Sequence, residues 1–278
     1  MVRDRLLWLM NPAVYQWQNL TTEDFGTLAP EDAVAILPMA AVEQHGPHLP
    51  LSTDAVICQG ILDAAVAAPF EPDGPVIVMP LQAIGDSLEH TDFPGTLSLP
   101  SDTLGEIVYR LGACVHRAGI RKLLIFNSHG GQPQVIDIAA LRLRKEVAMF
   151  VAKAHSFRFG VPDGLFAEDE LAHGFHGGAV ETSMMLHLAP DLVRMEKAGE
   201  FRSTGEAMAR DNRHLGPEGA HASYAWMARD LNPTGAIGDA TAADAGKGRQ
   251  AVDHAATILR EIIREVQAMP LSTLADGR

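Results

Sequence analysis

Short apolar runs alternate with longer amphipathic segments between residues 33 and 153. The short runs have the length and composition of buried strands, at 33–39, 76–79, 123–126 and 149–152. The longer segments have helical periodicity and helix-start signals, at 53–68, 101–118 and 135–147. Because strands separated by helices are joined by right-handed crossovers, the pattern predicts an α/β fold whose mainly parallel sheet is covered on both faces.

The pattern is less regular after residue 153. Helices are predicted at 179–188 and 245–267, whereas 157–174 and 200–240 lack a clear period and are expected to be irregular. No repeat, low-complexity segment or linker interrupts the sequence. We therefore expect one domain over 1–278, with a core of about 30–267 and an N-terminal arm at 1–29.

The amino-acid composition and net charge of the chain disfavour some classes of binding partner. The 278 residues are 47% hydrophobic and carry a formal net charge of −13, which disfavours nucleic acid and anionic membranes. No apolar stretch approaches the length of a membrane span, and the start of the chain lacks a signal-peptide core, so a cytoplasmic protein is expected. Cys58 and Cys114 fall in apolar helical segments and are expected to be free thiols.

Ligand-type side chains follow the first predicted strand. Since ligands bind at the carboxyl ends of parallel strands, residues placed there are candidates for a common site. Glu43 and His45 are two apart, so in extended chain both point to one side. Asp54 begins the next helix and has a competing interpretation as a plain N-cap, with His45 a turn residue. Together the three residues form a ligand set suited to Zn or Mn.

Three further segments end at the same predicted edge. His129 follows the third strand, where Gly130 and Gly131 allow close approach to a ligand; a phosphate loop is the alternative, although the P-loop Lys-Ser/Thr is missing. The loop 85–96 is interpreted either as a surface turn or as a substrate contact. In the last segment, His176 precedes a helix and Glu181 lies in its first turns, where an acid often only complements the helix dipole.

These segments together resemble the creatininase (creatinine amidohydrolase) family. The resemblance rests on Glu43-Gln-His-Gly-Pro-His-Leu-Pro50 with Asp54, and on three further motifs in the same order: Phe93-Pro-Gly-Thr96, Asn127-Ser-His-Gly-Gly131 and His176-Gly-Gly-Ala-Val-Glu-Thr-Ser183. It implies a three-layer α/β/α sandwich, a homo-oligomer that is often a hexamer, and two divalent metal ions, Zn and/or Mn, with Fe as an alternative.

The resemblance also implies roles for individual residues. Glu43 and His129 would bind one metal ion and His45 the other, with Asp54 bridging the two. In creatininase a glutamate occupies the position of Gly131, and here we expect Glu181 to replace it as a ligand. Creatininase also has a tryptophan where this chain has Ala172, so creatinine itself is not the expected substrate.

The predicted activity is hydrolysis of a C–N bond in a small or cyclic, non-peptide amide by metal-activated water. His176 is the expected proton shuttle, and Glu89 or His90 is expected to orient the substrate. Further substrate contacts are expected from a set of residues around the loops: Ser87, Gly130, Gly131, Phe175 and Gly177. Two alternatives stay open, a metal-dependent ring-opening hydrolase or lyase acting on a keto-polyol and a non-enzymatic flavodoxin-like module that binds phosphate.

Overall fold

The computed structural model describes residues 13–28, 32–67, 70–218 and 221–274. The central sheet has five strands, β1 to β5, at Val14–Gln16, Val34–Met39, Val76–Val78, Lys122–Asn127 and Phe150–His155. All its pairings are parallel and the spatial order is β1-β3-β2-β4-β5. The order reverses next to β2, so the loops after β2 and β4 leave adjacent strands at one edge of the sheet.

Nine α-helices occur in the described part of the chain. In chain order α1 to α9 are Thr22–Phe25, Thr53–Val66, Ser101–Arg117, Pro133–Val147, Glu168–His173, Ala179–Leu188, Thr204–Asp211, Ala228–Leu231 and Ala245–Ala268. Two small two-stranded sheets add Glu200–Phe201 with Gly238–Asp239, and Leu215–Gly216 with Ala222–Ser223. These short elements lie outside the central sheet.

Both faces of the central sheet are buried. Along β2, Val34 and Ile36 pack in a cluster with side chains of α2, α6 and α9. Ala35 and Leu37 point the other way and pack with side chains of α3 and α4. Alternate residues of one strand thus enter opposite cores, which explains why β2 is continuously apolar. The predicted mainly parallel sheet with helices on both sides is confirmed.

Two regions differ from the expectation of irregular chain. Residues 157–174 contain helix α5, whose first turn holds Glu168, Asp169 and Glu170. Residues 200–240 contain α7 and α8. These helices have only four to eight residues, too few for a hydrophobic period to show in the sequence. Strand β1 lies within the predicted N-terminal arm. Its three residues are likewise too few for a strand pattern to show in the sequence.

Within the described residues, none of the helices is long and apolar enough to cross a lipid bilayer.

Candidate metal centre

Asp54 occupies the middle of a buried polar cluster at the carboxyl edge of the sheet. Its Oδ1 lies 3.3 Å from His45 Nε2 and its Oδ2 lies 3.4 Å from His129 Nδ1. The residue is only 2% exposed. The N-cap of α2 is Ser52, and the Asp54 carboxylate points towards the two imidazoles instead of capping the helix. One carboxylate therefore connects the loops that follow β2 and β4.

Glu43 lies beside Asp54, on the loop after β2. Its amide N–H donates to Leu51 O at 3.0 Å, which folds this loop back over the sheet edge. Its Oε1 is 3.3 Å from His129 Nδ1 and 3.4 Å from His90 Nε2. His176 Nδ1 is also near, at 3.9 Å from the same oxygen. The carboxylate thus faces three imidazoles, and Glu43 is 1% exposed.

Glu181 reaches the cluster from the first turn of α6. Its Oε2 is 3.9 Å from His45 Nε2 and accepts a hydrogen bond from Gly177 N at 2.6 Å. Gly177 has φ +65°, and a Cβ there would lie 3.0 Å from the carbonyl oxygen of His45. A glycine at this turn therefore lets the start of α6 approach the His45 loop closely enough for Glu181 to contact the imidazole.

The described side chains form four overlapping groups of metal-ligand type. Glu43, His45 and His176 form one group and Glu43, Glu89 and His90 another; the remaining two groups, which share Asp54, are the ligand sets. In each set, ligand atoms lie within 4.8 Å of one another: Glu43, Asp54 and His129 in the first, and His45, Asp54 and Glu181 in the second. Three buried side-chain atoms in these sets have no hydrogen-bond partner: Glu43 Oε2, His45 Nε2 and Asp54 Oδ2. Since buried polar atoms without partners are costly, the donor set fits cations that these atoms would bind.

Backbone carbonyls orient the histidine rings. His45 Nδ1 donates to Glu43 O at 3.1 Å, and His129 Nε2 donates to Asp86 O at 2.8 Å. His176 Nε2 donates to Gln44 O at 2.7 Å. In each ring the opposite nitrogen faces the carboxylates. This arrangement is typical of metal-ligating histidines, whose second nitrogen is anchored by an acceptor.

Gln44 binds one nitrogen of the His90 ring and so determines which ring nitrogen carries the proton. Its side-chain oxygen accepts from Gly46 N at 2.9 Å and its amide nitrogen donates to Gly235 O at 3.0 Å, which defines the orientation of the amide. The same nitrogen donates to His90 Nδ1 at 2.7 Å. The proton of neutral His90 is therefore on Nε2, which points to the carboxylates of Glu43 and Glu89. In this tautomer His90 is a hydrogen-bond donor and has no lone pair for a cation.

The carboxylates shift the protonation of the imidazoles. Burial opposes charge on His45, but Asp54, Glu181 and Glu43 outweigh it and raise its pKa to about 10. Burial likewise opposes charge on His129, whose pKa is nevertheless raised well above the usual value by Glu43 and Asp54. Burial raises the pKa of Glu181 to about 7. At pH 8 His45 is thus protonated and Glu181 is mostly ionised, and the raised pKa of His129 favours its protonated form.

Metal binding is therefore expected to release at least one proton per chain at pH 8, from His45, and a further proton from His129 where its raised pKa keeps it protonated. The reason is that a ligating imidazole must lose the proton on its metal-facing nitrogen. Release should decrease as pH rises through about 10, where His45 has already lost its proton. It should increase as pH falls below about 7, where Glu181 also holds one. Titration calorimetry in buffers of different ionisation enthalpy measures this number. Binding without proton release at pH 8 would contradict the assignment of these imidazoles as ligands.

A cavity of about 870 Å³ opens onto the cluster. Five of the residues predicted to orient or contact the substrate line it: Glu89, His90, Gly130, Gly131 and Phe175. Ser87 and Gly177, expected to contact substrate, are buried and are not part of the lining. A Cβ at position 131 would lie 2.1 Å from Glu89 Oε1. The Glu89 carboxylate therefore fills the space that a side chain at position 131 would need.

Three further histidines lie outside the two ligand sets. His48 bonds to Thr182 Oγ1 at 2.8 Å, and His155 Nδ1 lies 3.1 Å from Asn127 Nδ2. His173 ends helix α5 and lines a second cavity. Gln44 was not predicted as a site residue from the sequence. Its position between the candidate ligands Glu43 and His45 was the signal that could have identified it. Tyr224 and Trp226 in the cavity wall were also not predicted, because they come from irregular chain and gave no signal.

Comparison with known proteins agrees with this geometry. The model of the creatininase (creatinine amidohydrolase) family matches residues 18–263. The chain is 30% identical over 222 residues to a mycofactocin precursor peptide peptidase from Mycolicibacterium smegmatis, covering 78% of each protein. It is 30% identical over 204 residues to a creatinine amidohydrolase from Pseudomonas putida, covering 68% of this chain and 76% of that protein.

A manganese creatininase structure superposes with a TM-score of 0.71 at 23% identity, covering 91% of this chain and 99% of that one. The protein described here belongs to the creatininase family of amidohydrolases.

Proposed function

We propose that the protein is an amide hydrolase that works with two divalent metal ions, Zn and/or Mn. Glu43, Asp54 and His129 would hold one ion, and His45, Asp54 and Glu181 the other. The observation that carries the proposal is the position of Asp54, whose two oxygens lie 3.3 and 3.4 Å from imidazoles of different loops. Carboxylate and imidazole ligands suit both metals.

Bound divalent ions supply Lewis acidity, which brings the pKa of water towards neutrality and polarises a carbonyl group. The protein's own groups provide orientation. The carbonyl oxygens of Glu43 and Asp86 hold the rings of His45 and His129, so their ligand atoms are placed before a substrate arrives. Burial of the carboxylates keeps water away from the charges and strengthens their interactions.

Two groups are placed to move protons in the cavity. His176 lines it, with Nε2 donating to Gln44 O and Nδ1 facing Glu43. Glu89 also lines the cavity, and burial raises the pKa of its carboxyl to about 7. A leaving amine requires a proton, which a nearby acid–base group must supply. Burial and the neighbouring His45 and His90 hold the pKa of His176 well below its usual range, so its Nδ1 is unprotonated and available to take up a proton before passing it on. We propose His176 as the proton shuttle, with Glu89 and His90 orienting the substrate beside it.

Replacing His176 by Ala is expected to lower kcat by about 10²–10⁴ while metal content stays unchanged, the usual range for loss of an acid–base group. His187→Ala is the matched control, because it removes an exposed histidine from α6, the helix that follows His176. Elemental analysis and steady-state kinetics on the three proteins provide the measurement. Loss of metal from the His176→Ala protein would instead make His176 a ligand.

The proposed substrate is a small amide or a short peptide. The cavity of about 870 Å³ falls within the range of small-molecule sites and also has room for a few residues. The relatives support both choices, because one is a peptide peptidase and the other a creatinine amidohydrolase. The two candidate ligand sets and a proton donor would serve either substrate. Assembly as a homo-oligomer, hexameric by family resemblance, stays a prediction.

A screen of cyclic amides, formyl amides, lactams and short peptides against Mn- and Zn-loaded protein tests the proposed activity. We expect C–N hydrolysis that a chelator abolishes and metal restores. Turnover of keto-polyols without any amide turnover would favour the ring-opening alternative. Phosphate binding by a protein that takes up no metal would favour the binding module and contradict the proposal.

A further inference from the structure

The charge of the cavity lining is unbalanced. Its described lining residues include many carboxylates and neither lysine nor arginine; the acids are Glu43, Asp54, Asp86, Glu89, Glu181, Glu218 and Asp230. Glu43, Asp54 and Glu181 belong to the ligand sets, so bound cations would neutralise them. Glu218 and Asp230 belong to neither set. Cations bound by the ligand sets would therefore leave the Glu218 and Asp230 carboxylates in the lining without a ligand role.

The two outer acids come from one segment of chain. Glu218 and Asp230 flank Tyr224 and Trp226, and all four residues line the cavity. The Asp230 carboxylate accepts a hydrogen bond from Met227 N at 2.8 Å, which holds it without neutralising it. Both residues are exposed, although partial burial of the Glu218 carboxyl group raises its pKa. A group entering the cavity therefore meets these acids while it is still partly hydrated.

Large apolar side chains share this cavity. The Phe175 and Trp226 rings lie 5.8 Å apart, and Trp226 Nε1 donates to Pro217 O at 3.3 Å. Leu88, Phe157 and Leu171 also line the cavity and are exposed by 65%, 48% and 51%. Apolar groups left exposed together at a cavity are typical of a binding surface. Aromatic faces next to carboxylates are also a favourable environment for an ammonium group.

We infer that this cavity selects amides that carry an apolar arm bearing a positive charge, and that it rejects amides with a carboxylate on that arm. The inference rests on the proposed function, since it names the substrate class of the same site. An anionic arm would approach Glu218 and Asp230 with no lysine or arginine in the described lining to offset the repulsion. A cationic arm would lie between these acids and the rings of Phe175 and Trp226.

Three hydroxamates with a common metal-binding group test the inference without turnover. 4-(Aminomethyl)benzohydroxamate carries an ammonium group at the end of an apolar arm, 4-ethylbenzohydroxamate is its neutral counterpart, and 4-(carboxymethyl)benzohydroxamate carries a carboxylate at the end of the same arm. Binding to the Mn-loaded protein is measured by calorimetry, with acetohydroxamate as the parent compound. We expect the cationic compound to bind roughly tenfold or more tighter than the anionic one at low ionic strength, with the difference reduced by salt.

A variant that removes one charge from the cavity tests whether the cavity acids cause the preference for the cationic compound. Glu218→Gln should reduce the preference for the cationic compound several-fold, whereas Glu261→Gln changes the net charge equally on the exposed side of α9 and should leave it unchanged. Equal affinities for the three compounds, tighter binding of the anion, or equal effects of the two variants would overturn the inference. Failure of acetohydroxamate to bind would count against the metal centre itself, whereas failure of all four compounds would contradict both proposals.

Discussion

Asp54→Asn is expected to reduce bound metal from two ions per chain to at most one and amide hydrolysis by roughly 10³-fold or more. The substitution keeps the shape of the side chain and removes the charge that both ligand sets share. Replacing a residue that hydrogen-bonds to a metal ligand typically lowers metal affinity or activity about 10–100-fold. Replacing a ligand shared by two metal ions should lower them more. Elemental analysis and kinetics at saturating metal measure the two effects.

The matched control is Asp253→Asn, which removes an exposed carboxylate from α9 and changes the net charge equally. It should retain both metal ions and full activity. An Asp54→Asn protein that holds two ions and hydrolyses amides at the normal rate would show that Asp54 is not the shared ligand. In that case the contacts at 3.3 and 3.4 Å would be structural only.

Removal of metal by a chelator is expected to abolish activity and to lower the melting temperature by roughly 5–10 °C. The reason is that an ion bound only by the folded protein stabilises it, by about 3–4 kcal/mol at 100 to 1,000 times its dissociation constant. For a chain of this size each kcal/mol corresponds to a few degrees. Without cations, Glu43 Oε2, His45 Nε2 and Asp54 Oδ2 remain buried and unpartnered.

Differential scanning calorimetry of the same preparation, before and after chelation and again after adding Mn or Zn, measures this shift. Asp54→Asn provides the internal comparison, because a protein that has already lost its shared ligand should respond much less to the chelator. A melting temperature that is insensitive to chelation in the unmodified protein would contradict a cation-binding role for these buried atoms.

Much of the sheet and of the ligand cluster follows from local sequence. Strands β2 and β4 are continuous apolar runs because both faces are covered, and such runs are visible without a structure. Glu43, His45 and His129 follow those strands within a few residues, so the position of the strand end also defines the position of the ligand. The family assignment, which rested on the same residues, is confirmed.

The cavity wall could not be predicted in the same way. Trp226 and Glu218 come from irregular chain without a hydrophobic period, and only the tertiary fold brings them into one cavity with Phe175. Ser87 and Gly177 were expected to contact substrate because they neighbour conspicuous motif residues. In the structure both are buried, and Gly177 supports Glu181 through its N–H. Nearness in sequence does not determine whether a residue faces the cavity or lies beneath it.

Electron paramagnetic resonance of the fully Mn-loaded protein tests most directly whether one buried carboxylate joins two metal ions. Two Mn²⁺ ions bridged by Asp54 should give an exchange-coupled spectrum, and the Asp54→Asn protein at the same loading should lose it. An uncoupled six-line signal accounting for all the manganese bound to the unmodified protein would contradict a shared ligand and, with it, the proposed two-metal centre.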